Sequence, residues 1–545
     1  MRILSRIGLG LLLAVVLLMI FVVVRFRLDA QIDYDVSTQG VEIPTFSRIE
    51  IPWNQEHNND TTLPFMASAI IDVDGDGTEE LFLGGSRTQA DAMFAFKNNT
   101  FVPVDISGIT KSGGEATHGA SVLDVDKDGD DDLIVARTDG IWLHLNDGGN
   151  FSTQKLDAQM PDGTTAMTVG LADINRDGHF DMFVAGYISK DRVQGQNIFN
   201  KANYGGASQL FVNNGDNSFT NATKAAGLEY VKNTFMGIFV DADEDGFEDL
   251  IVAHDTGQVR TWRNNGDGTF TNAPNPNSNF NSYPMGIAVG DYNNDDLVDF
   301  FFSNVGGTPP DFVIRGDTTD DQVTDWKWLL FKNEGNFEFT DTADETKVAD
   351  YEFSWGAIFE DLNLDGREDL IVSENYIGFP PHKFEFLRLP GRLLLQNTQG
   401  EFAAVGAEAG VVNKRFSITP LTADFNADGR PDLVHANLAG YSLAFISKPG
   451  SGRSLKVHLA NQVESIGAKV TVSMADGTRA SKWFVRGEGL VSDSSPVMIF
   501  GLGETDPVSV SVRYLDGRVV ESRRCLLYTS PSPRDQRGSR MPSSA

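Results

Sequence analysis

The chain has 545 residues and is strongly acidic, with 44 Lys and Arg against 76 Asp and Glu and a formal net charge of −32. This charge excludes an extended nucleic-acid interface, because a basic surface supplies most of the affinity for phosphate backbones. Hydrophobic residues make up 41% of the chain, which is enough to bury a core, and 54 glycines favour a fold with many tight turns. The single cysteine, Cys525, excludes an intramolecular disulfide, so bound metal is a candidate for stabilising the fold.

The N-terminal segment resembles a membrane anchor. Residues 1–6 form a basic region that we expect to be cytoplasmic, and residues 7–24 form an uncharged apolar run. Eighteen helical residues span about 27 Å, close to the thickness of a hydrocarbon core. We therefore predict an uncleaved anchor over 7–24, with a cleaved secretory signal as the alternative, and a linker over 25–45. The rest of the chain should face the periplasm or extracellular space, or be secreted if the segment is cleaved.

Seven acidic loops recur along the chain at intervals of 49 to 70 residues. Loops 1 to 7 span residues 72–80, 124–132, 173–181, 241–249, 291–299, 361–369 and 424–432. Positions 1, 3, 5 and 9 of every loop carry Asp, Asn or Glu, and position 6 is glycine in six loops. We expect a positive φ at position 6, because the chain must turn sharply there.

This spacing predicts Ca²⁺ sites, because a hard cation needs six to eight oxygen ligands. Position 7 varies freely, as expected if only its backbone carbonyl binds. The last acid is at position 9 rather than 12 and the flanking sequences are of β type, so the loops are not EF-hands. The alternative is that Asp, Asn and Gly simply mark turns. The candidate ligands are Asp72, Asp74, Asp76, Thr78, Glu80, Asp124, Asp126, Asp128, Asp130, Asp132, Asp173, Asn175, Asp177, His179, Asp181, Asp241, Asp243, Asp245, Phe247, Asp249, Asp291, Asn293, Asp295, Leu297, Asp299, Asp361, Asn363, Asp365, Arg367, Asp369, Asp424, Asn426, Asp428, Arg430 and Asp432.

Up to seven calcium ions would cancel 14 of the 32 excess negative charges. Two loops depart from the pattern. Asp296 replaces the glycine of loop 5, so we expect this loop to be the most strained or the weakest site. Glu80 ends loop 1 where the other loops have Asp, which changes the reach of that carboxylate.

Each period of the repeat contains four short apolar segments, with an acidic loop between the first and second. Four strands per period and seven periods predict an all-β fold with a seven-bladed β-propeller over residues 46–450. The last period lacks a fourth strand. Residues 46–51, just before the first period, are predicted to form a strand that has no partner within that period. We expect that segment to close the ring by pairing with the last blade, since closure removes exposed edges.

The C-terminal region changes character twice. Residues 451–522 alternate in the β pattern with Asp-Gly turns at 476–477 and 516–517, and predict a small β-domain packed against the propeller. Residues 523–545 lose all periodicity and are rich in Ser, Pro and Arg. They predict a disordered tail, and the sequence also resembles translated vector sequence.

The D-x-[DN]-x-D-G-x-x-[DE]-L motif resembles the FG-GAP (VCBS-type) repeat of integrin α-subunit propellers. Residues 451–521 resemble the ASPIC/UnbV domain through Ile466-Gly-Ala-Lys-Val, Ser492, Phe500-Gly-Leu-Gly and Val512-Arg-Tyr-Leu-Asp-Gly-Arg. The combination is similar to the cartilage acidic protein family with its bacterial members. This resemblance implies calcium binding and names no partner. The chain departs from the family in its N-terminal anchor and in lacking a cysteine-rich EGF module.

Extra residues follow the second strand of three periods, at 187–209, 305–328 and 375–392. They should lie on the face opposite the acidic loops and form a protein- or glycan-binding surface, or else pack on themselves. Their contact candidates are Tyr187, Phe199, Tyr204, Trp326, Trp328, Tyr376 and Phe379, and Arg315-Gly-Asp317 lies among them as a weak adhesion motif. At the channel mouth we expect His118, Met167, Phe235, Met285 and Trp355 to pack in the core.

The favoured function is an adhesion or binding module without catalytic activity, because the sequence contains no zinc-ligand spacing, G-x-S-x-G motif or phosphate loop. One alternative is a polysaccharide lyase or hydrolase that uses Arg137, His254, Glu374 and His435 just after second strands. Another is a cell-envelope assembly factor that docks through the β-domain.

Overall fold

The structure is a computed structural model that describes residues 10, 12–21, 34–57, 63–106, 108–109, 114–193, 204–306, 318, 321–376, 388–522 and 540–541. Residues 12–21 are helical, and their large apolar side chains are exposed. Within the described residues, no helix is long and apolar enough to cross a membrane. The predicted anchor over 7–24 lies partly outside these residues.

Strands dominate the described chain, and seven sheets carry the acidic loops. Sheet 1 contains β2 (Ser68–Ile71), β3 (Glu80–Leu83), β4 (Ala92–Lys97) and β5 (Thr100–Pro103). Sheet 2 contains β6 (Thr117–Leu123), β7 (Asp132–Arg137), β8 (Gly140–Asp147) and β9 (Asn150–Lys155). Sheet 3 contains β10 (Thr164–Ala172), β11 (Asp181–Ile188), β12 (Gln209–Asn213) and β13 (Phe219–Asn221). Sheet 4 contains β14 (Asn233–Val240), β15 (Asp249–Asp255), β16 (Arg260–Asn264) and β17 (Phe270–Ala273).

The remaining three of these sheets follow the same order. Sheet 5 contains β18 (Ile287–Gly290), β19 (Asp299–Phe302), β20 (Leu329–Asn333) and β21 (Phe339–Asp341). Sheet 6 contains β22 (Ser354–Glu360), β23 (Asp369–Glu374), β24 (Arg392–Gln396) and β25 (Phe402–Ala404). Sheet 7 contains β26 (Ser417–Ala423), β27 (Asp432–Asn437), β28 (Leu443–Ser447) and β1 (Phe46–Glu50). Short helices lie at Lys190–Arg192 (3-10) and at Gly406–Ala409 and Gln462–Ser465 (α).

The first strands of the sheets pack side by side in chain order, with β14 and β18 in contact through Met236 and Ile287, and β26 returns to contact β2. Glycines allow this approach: a Cβ on Gly119 would lie 2.1 Å from Met167 O, and one on Gly170 would lie 2.3 Å from Gly237 O. First and second strands are buried almost throughout, because each sheet is covered on both faces by its neighbours. This all-β arrangement is consistent with the expected propeller.

The predicted pairing of the N-terminal strand is present. β1 runs antiparallel to β28, with Phe46 opposite Ser447 and Glu50 opposite Leu443. The chain that begins the ring therefore also supplies the outermost strand of its last sheet.

The β-domain (residues 451–522) lies on the face of the ring that carries the acidic loops. One sheet has the order β31 (Arg479–Trp483), β30 (Lys469–Met474), β34 (Pro507–Arg513) and β35 (Val519–Ser522). The other has the order β33 (Met498–Gly503), β29 (Arg453–Leu459) and β36 (Arg540–Met541). Apart from β36, the predicted tail over 523–545 lies outside the described residues.

Basic and polar side chains of the β-domain contact the acidic face. Gln462 Nε2 donates to Asp131 Oδ1 at 2.6 Å, and Lys482 Nζ lies 2.9 Å from Glu360 Oε1. The charge of the face is thus partly neutralised from within the same chain.

Residues 484–495 of the β-domain, here called the plug segment, enter the centre of the ring. Within it, β32 (Ser492–Asp493) pairs in parallel with β2, and Gly489 bridges to Ile287. Arg486 Nε donates to Val122 O at 2.8 Å, and Asp493 Oδ2 accepts from Val122 N at 2.7 Å. The segment therefore bonds to sheets 1, 2 and 5. Packing against the propeller, as predicted from the sequence, is only part of the contact, because the β-domain also supplies a strand to sheet 1.

The plug segment gives a prediction about pH. Burial, followed by the negative charge of Asp493, raises the pKa of Glu488 to about 8, whereas Lys482 and Arg486 lower it. The folded state then keeps a proton that the unfolded state releases above its ordinary pKa of about 4.3. The contribution of Glu488 to stability is fully present below that value and is lost as pH rises through about 8. We expect the Tm of Glu488→Gln in saturating calcium to fall less between pH 5 and pH 8 than that of the wild type.

The matched control is Glu504→Gln, which alters an exposed carboxylate of the same domain. Its pH profile should follow the wild type. Parallel profiles for wild type and Glu488→Gln would contradict the assignment.

Candidate metal centres

The acidic loops share one backbone framework. The N–H of position 6 donates to the position-1 carboxylate in all seven loops, at 2.7 to 3.2 Å. The N–H of position 7 donates to the position-5 carboxylate in the same way, at 2.8 to 3.1 Å. These bonds fold the loop around its own acids and leave other carboxylate oxygens available to a cation.

Positive φ angles occur at two positions of each loop. Position 6 is positive as predicted, including Asp296 at φ 69°. Position 4 is also positive in every loop, although only loop 1 has glycine there; Lys127 has φ 66° and Glu244 has φ 60°. Sequence reasoning missed this second turn, because the residue types at position 4 do not signal it.

The position-9 carboxylate, predicted as a metal ligand, also accepts hydrogen bonds from the backbone. In loops 2, 3, 4, 6 and 7, one oxygen accepts the N–H of position 2 and the other accepts an N–H of the third strand. Asp132, for example, accepts from Val125 N and Asn146 N, both at 2.8 Å. Each oxygen keeps a second lone pair, so a cation can still be bound.

Position 3 divides the loops into two groups. Where it is Asn, its side-chain amide donates to the position-5 carboxylate, and the N–H of position 5 donates to position 1. Where it is Asp, in loops 1, 2 and 4, these two bonds are absent among the described residues, and the N–H of position 5 donates to the position-3 carboxylate. Within the described residues, Oδ1 of Asp72, Asp124 and Asp241 is then buried with no hydrogen-bond partner. An orphaned buried carboxylate oxygen is costly unless a cation binds it.

Carboxylates converge in four of the predicted sites. Groups of three lie with ligand atoms within 4.8 Å of one another in loops 1, 2, 4 and 5. The groups are Asp72, Asp74 and Asp76; Asp124, Asp126 and Asp132; Asp241, Asp243 and Asp249; and Asp291, Asp295 and Asp299. Their composition of carboxylate oxygens, with the carbonyl of position 7 nearby in sequence, fits a hard cation such as calcium.

Burial and mutual repulsion act on these acids together. Burial, opposed by a hydrogen bond from Gly246 and reinforced by Asp245 and Asp243, raises the pKa of Asp241 to about 7. The pKa of Asp249 is raised to about 8, with burial again the largest cause. A bound divalent cation would offset both effects and favour the ionised form.

In loops 4, 6 and 7, a basic side chain pairs with one of the acids. Arg263 Nε lies 2.5 Å from Asp243 Oδ2, and Arg367 pairs with Asp365. Lys456 of the β-domain pairs with Asp424 of loop 7. These basic side chains neutralise part of each site; in loop 4, Arg263 pairs with Asp243 and Asp245 and leaves Asp241 Oδ1 without a partner among the described residues.

Position 8, which sequence reasoning did not consider, links neighbouring loops. Asp131 of loop 2 accepts from Asp72 N of loop 1 at 3.3 Å, and Glu248 of loop 4 accepts from Asp173 N of loop 3 at 3.0 Å. Loop 3 has Phe180 at position 8, and Gln462 of the β-domain accepts from Asp124 N instead, at 3.1 Å. The sequence signal was an acid at position 8 in loops 1, 2, 4 and 6.

Loop 5 has Asp296 instead of glycine at position 6, and this residue contacts the β-domain. Arg479 Nη1 lies 2.6 Å from Asp296 Oδ2, Ser481 Oγ donates to Oδ1 at 2.7 Å, and Lys469 donates to its carbonyl. The expected strain is present as a positive φ, and these three contacts offset its cost. The expectation that this is the weakest site stays a prediction.

The four catalytic candidates are buried, and each has partners in its own region. Arg137 Nη2 lies 2.9 Å from Asp91 Oδ2, and Glu374 pairs with Arg392. His254 contacts Thr234 Oγ1 at 3.1 Å, and His435 contacts Ser417 Oγ at 3.1 Å. These contacts are those of core polar groups and do not favour a shared active site.

Several aromatic contact candidates also pack inside the protein. Tyr187, Trp328 and Tyr376 are buried, and Trp326 is part-buried against Tyr283 at 5.4 Å between ring centroids. These side chains favour the alternative in which the inserted segments pack on the ring. Phe199, Phe379 and the Arg315-Gly-Asp317 motif lie outside the described residues.

The channel-mouth candidates His118, Met167, Phe235, Met285 and Trp355 are all buried, as predicted for core residues. Phe65 joins them, with its ring centroid 5.6 Å from that of Phe235 and 6.0 Å from that of Trp355. Aromatic packing therefore fills this end of the ring centre.

Residues 72–135, 124–184 and 241–302 match the FG-GAP-like repeat family, and residues 459–524 match the ASPIC and UnbV family. The chain contains FG-GAP-like repeats and an ASPIC and UnbV domain. The repeat matches include loops 1 to 5.

Two curated relatives are similar over part of the chain. Cartilage acidic protein 1 of Homo sapiens is 24% identical over 251 residues, which are 43% of this chain and 37% of the human protein. The Mus musculus protein of the same name is 24% identical over 251 residues, 43% of this chain and 38% of its own length. The matched region thus spans well under half of these relatives.

Among solved structures, BBS1N in complex with ARL6DN is similar at a TM-score of 0.41 and 10% identity. The match covers 75% of this chain and 98% of that chain.

Two substitutions in loop 2 separate the structural acid from the metal ligand. Asp132→Asn should destabilise the protein by about 1–3 kcal/mol even in EGTA, because the amide cannot accept one of the two buried backbone N–H groups. Asp126→Asn should leave stability in EGTA nearly unchanged, since Asn occupies position 3 in four other loops. It should instead reduce the rise in Tm on adding calcium.

Denaturant unfolding of both variants, with and without calcium, measures the difference. If Asp132→Asn lost stability only in calcium, the structural role of position 9 would be wrong.

Proposed function

We propose that the protein is a calcium-stabilised seven-bladed β-propeller, anchored by its N-terminal segment and facing away from the cytoplasm, that acts as a binding or adhesion module. The observation that carries the calcium assignment is the set of orphaned buried oxygens of Asp72, Asp124 and Asp241. Each lies among further carboxylates of its own loop, where a divalent cation supplies the missing partner.

The repeated geometry argues for calcium rather than for turns alone. A turn needs the position-6 and position-7 hydrogen bonds, but it does not need three ionised side chains within 4.8 Å of one another. Such acids repel each other, and those at position 9 are also buried, so a turn built from them alone would be unstable. Calcium affinities of about 10⁻⁴ to 10⁻³ M are typical of extracellular modules, and such sites would fill only outside the cytoplasm.

The placement of the β-domain supports a binding function on other surfaces. The acidic face and one end of the ring centre contact residues of the same chain, including Gln462, Lys482 and the plug segment. A macromolecular partner therefore has the opposite face and the outer strands available to it. The FG-GAP-like repeats and the ASPIC and UnbV domain are those of protein-binding or adhesion modules, which favours this role over catalysis.

Membrane anchoring rests on the uncharged apolar run at residues 7–24 and on the exposed apolar side chains of helical residues 12–21. Apolar side chains that find no protein core are stabilised by a bilayer.

Thermal melting tests the calcium assignment. We expect a large rise in Tm from EGTA to millimolar calcium, because each of several sites contributes about 0.4 to 1.4 kcal/mol when free calcium is about one to ten times its Kd. Magnesium at the same concentration should have a smaller effect, since it demands octahedral geometry and retains its waters. An unchanged Tm across all three conditions would reject calcium-dependent stabilisation.

A further inference from the structure

A cavity of about 250 Å³ lies between loop 4 and the β-domain. Asp241 and Asp245 of loop 4 form one wall, and Lys469, Trp483 and Arg513 of the β-domain form another. The volume approaches the lower end of small-molecule pockets, at about 300 Å³, and far exceeds the roughly 30 Å³ share of one water. Both domains are needed to form the cavity.

One buried acceptor of this cavity lacks a partner. Asp241 is 6% exposed, and its Oδ1 has no hydrogen-bond partner in the part of the chain that the structure describes. The same side chain lines the cavity and belongs to the candidate calcium site of loop 4. A cation bound there would therefore lie at the cavity wall.

The charge of the lining depends on that cation. Four carboxylates, including Asp516 of the β-domain, line the cavity together with the three cationic side chains Arg176, Lys469 and Arg513. Arg513 Nη2 lies 2.6 Å from Glu244 Oε1, and Lys469 Nζ lies 3.2 Å from the same oxygen. One calcium ion changes the lining from a net charge of −1 to +1, and an anion then becomes the favoured ligand.

Two aromatic side chains of the cavity favour an anion that also carries a ring. Trp483 and Tyr514 both line the cavity and are part-buried. A cation lies over one face of each ring, since Lys469 Nζ is 5.2 Å from the Trp483 ring centroid and Arg518 Cζ is 4.1 Å from that of Tyr514. The remaining aromatic surface favours the C–H face of a ligand ring, and the Trp N–H and Tyr O–H suit ligand hydroxyl groups. Arg513 has guanidinium N–H groups beyond the one directed at Glu244, and guanidinium groups bind carboxylates in a planar fork.

We propose that this cavity binds one carboxylated sugar residue, a uronate, in a calcium-dependent manner. The proposal rests on the proposed calcium site of loop 4 and names the ligand class that the loop 4 and β-domain junction would take. The sugar carboxylate is held by Arg513 and the loop-4 cation, and the sugar ring packs against Trp483 or Tyr514.

Isothermal titration of the full chain with D-glucuronate, in millimolar calcium and in EGTA, tests this. Binding is expected in calcium and should be lost in EGTA. Glucose lacks the carboxylate and acetate lacks the ring, so each should bind about tenfold more weakly or not at all.

Two variants localise the site. Arg513→Gln and Trp483→Ala should each weaken glucuronate binding about tenfold. Arg453→Gln is the matched control, because Arg453 lies in the same domain, pairs with Asp506 at 2.8 Å and does not line the cavity. Arg513 is 37% exposed, so its variant should fold even if Trp483→Ala does not.

The outcomes separate the two proposals. A calcium-dependent rise in Tm without glucuronate binding would overturn the uronate site and leave the proposed function standing. No rise in Tm would reject both. Glucose binding as tightly as glucuronate, or unchanged binding by Arg513→Gln, would also overturn the uronate assignment.

Discussion

The structure depends on holding many buried carboxylates together on one face of a ring. Each acidic loop gathers three or four side chains that would repel one another when ionised, and burial strengthens the repulsion. Three kinds of interaction offset this repulsion. Backbone N–H groups bond to the acids at positions 1, 5 and 9, basic side chains such as Arg263 and Lys456 pair with some loops, and loops 1 and 2 retain carboxylate oxygens suited to a metal.

The β-domain also compensates part of the negative charge of the acidic loops. Its contacts with the ring concentrate lysine, arginine and amide groups opposite the acidic loops, and the plug segment carries Arg486 and Asp493 into the centre as a buried pair. A buried ion pair contributes little stability by itself, but losing one partner leaves a costly buried charge. These contacts fix one orientation of the β-domain on the ring. Asp296 of loop 5 contributes to them by contacting Arg479 and Ser481.

This arrangement limits where function can be located. The acidic loops join the first and second strands of the sheets, and loops 2, 5 and 7 contact the β-domain. The polar groups after the second strands, such as His254 and His435, are core residues with local partners. The junction at loop 4 is a place where two domains and a candidate metal site meet around a cavity.

The sequence by itself determined the local features: the spacing of the acids, the turn at position 6, the four-strand period and the closing strand at Phe46. These depend on residue spacing within a few positions, and a repeat displays them several times. Only the tertiary structure decided the second left-handed turn at position 4, the link from Asp131 to the neighbouring loop, the docking role of Asp296 and the entry of residues 484–495 into the ring. The turn is carried by varied residue types, and the other three join segments far apart in the chain. Their partners are fixed by which surfaces meet once the ring has closed, and no local pattern records that.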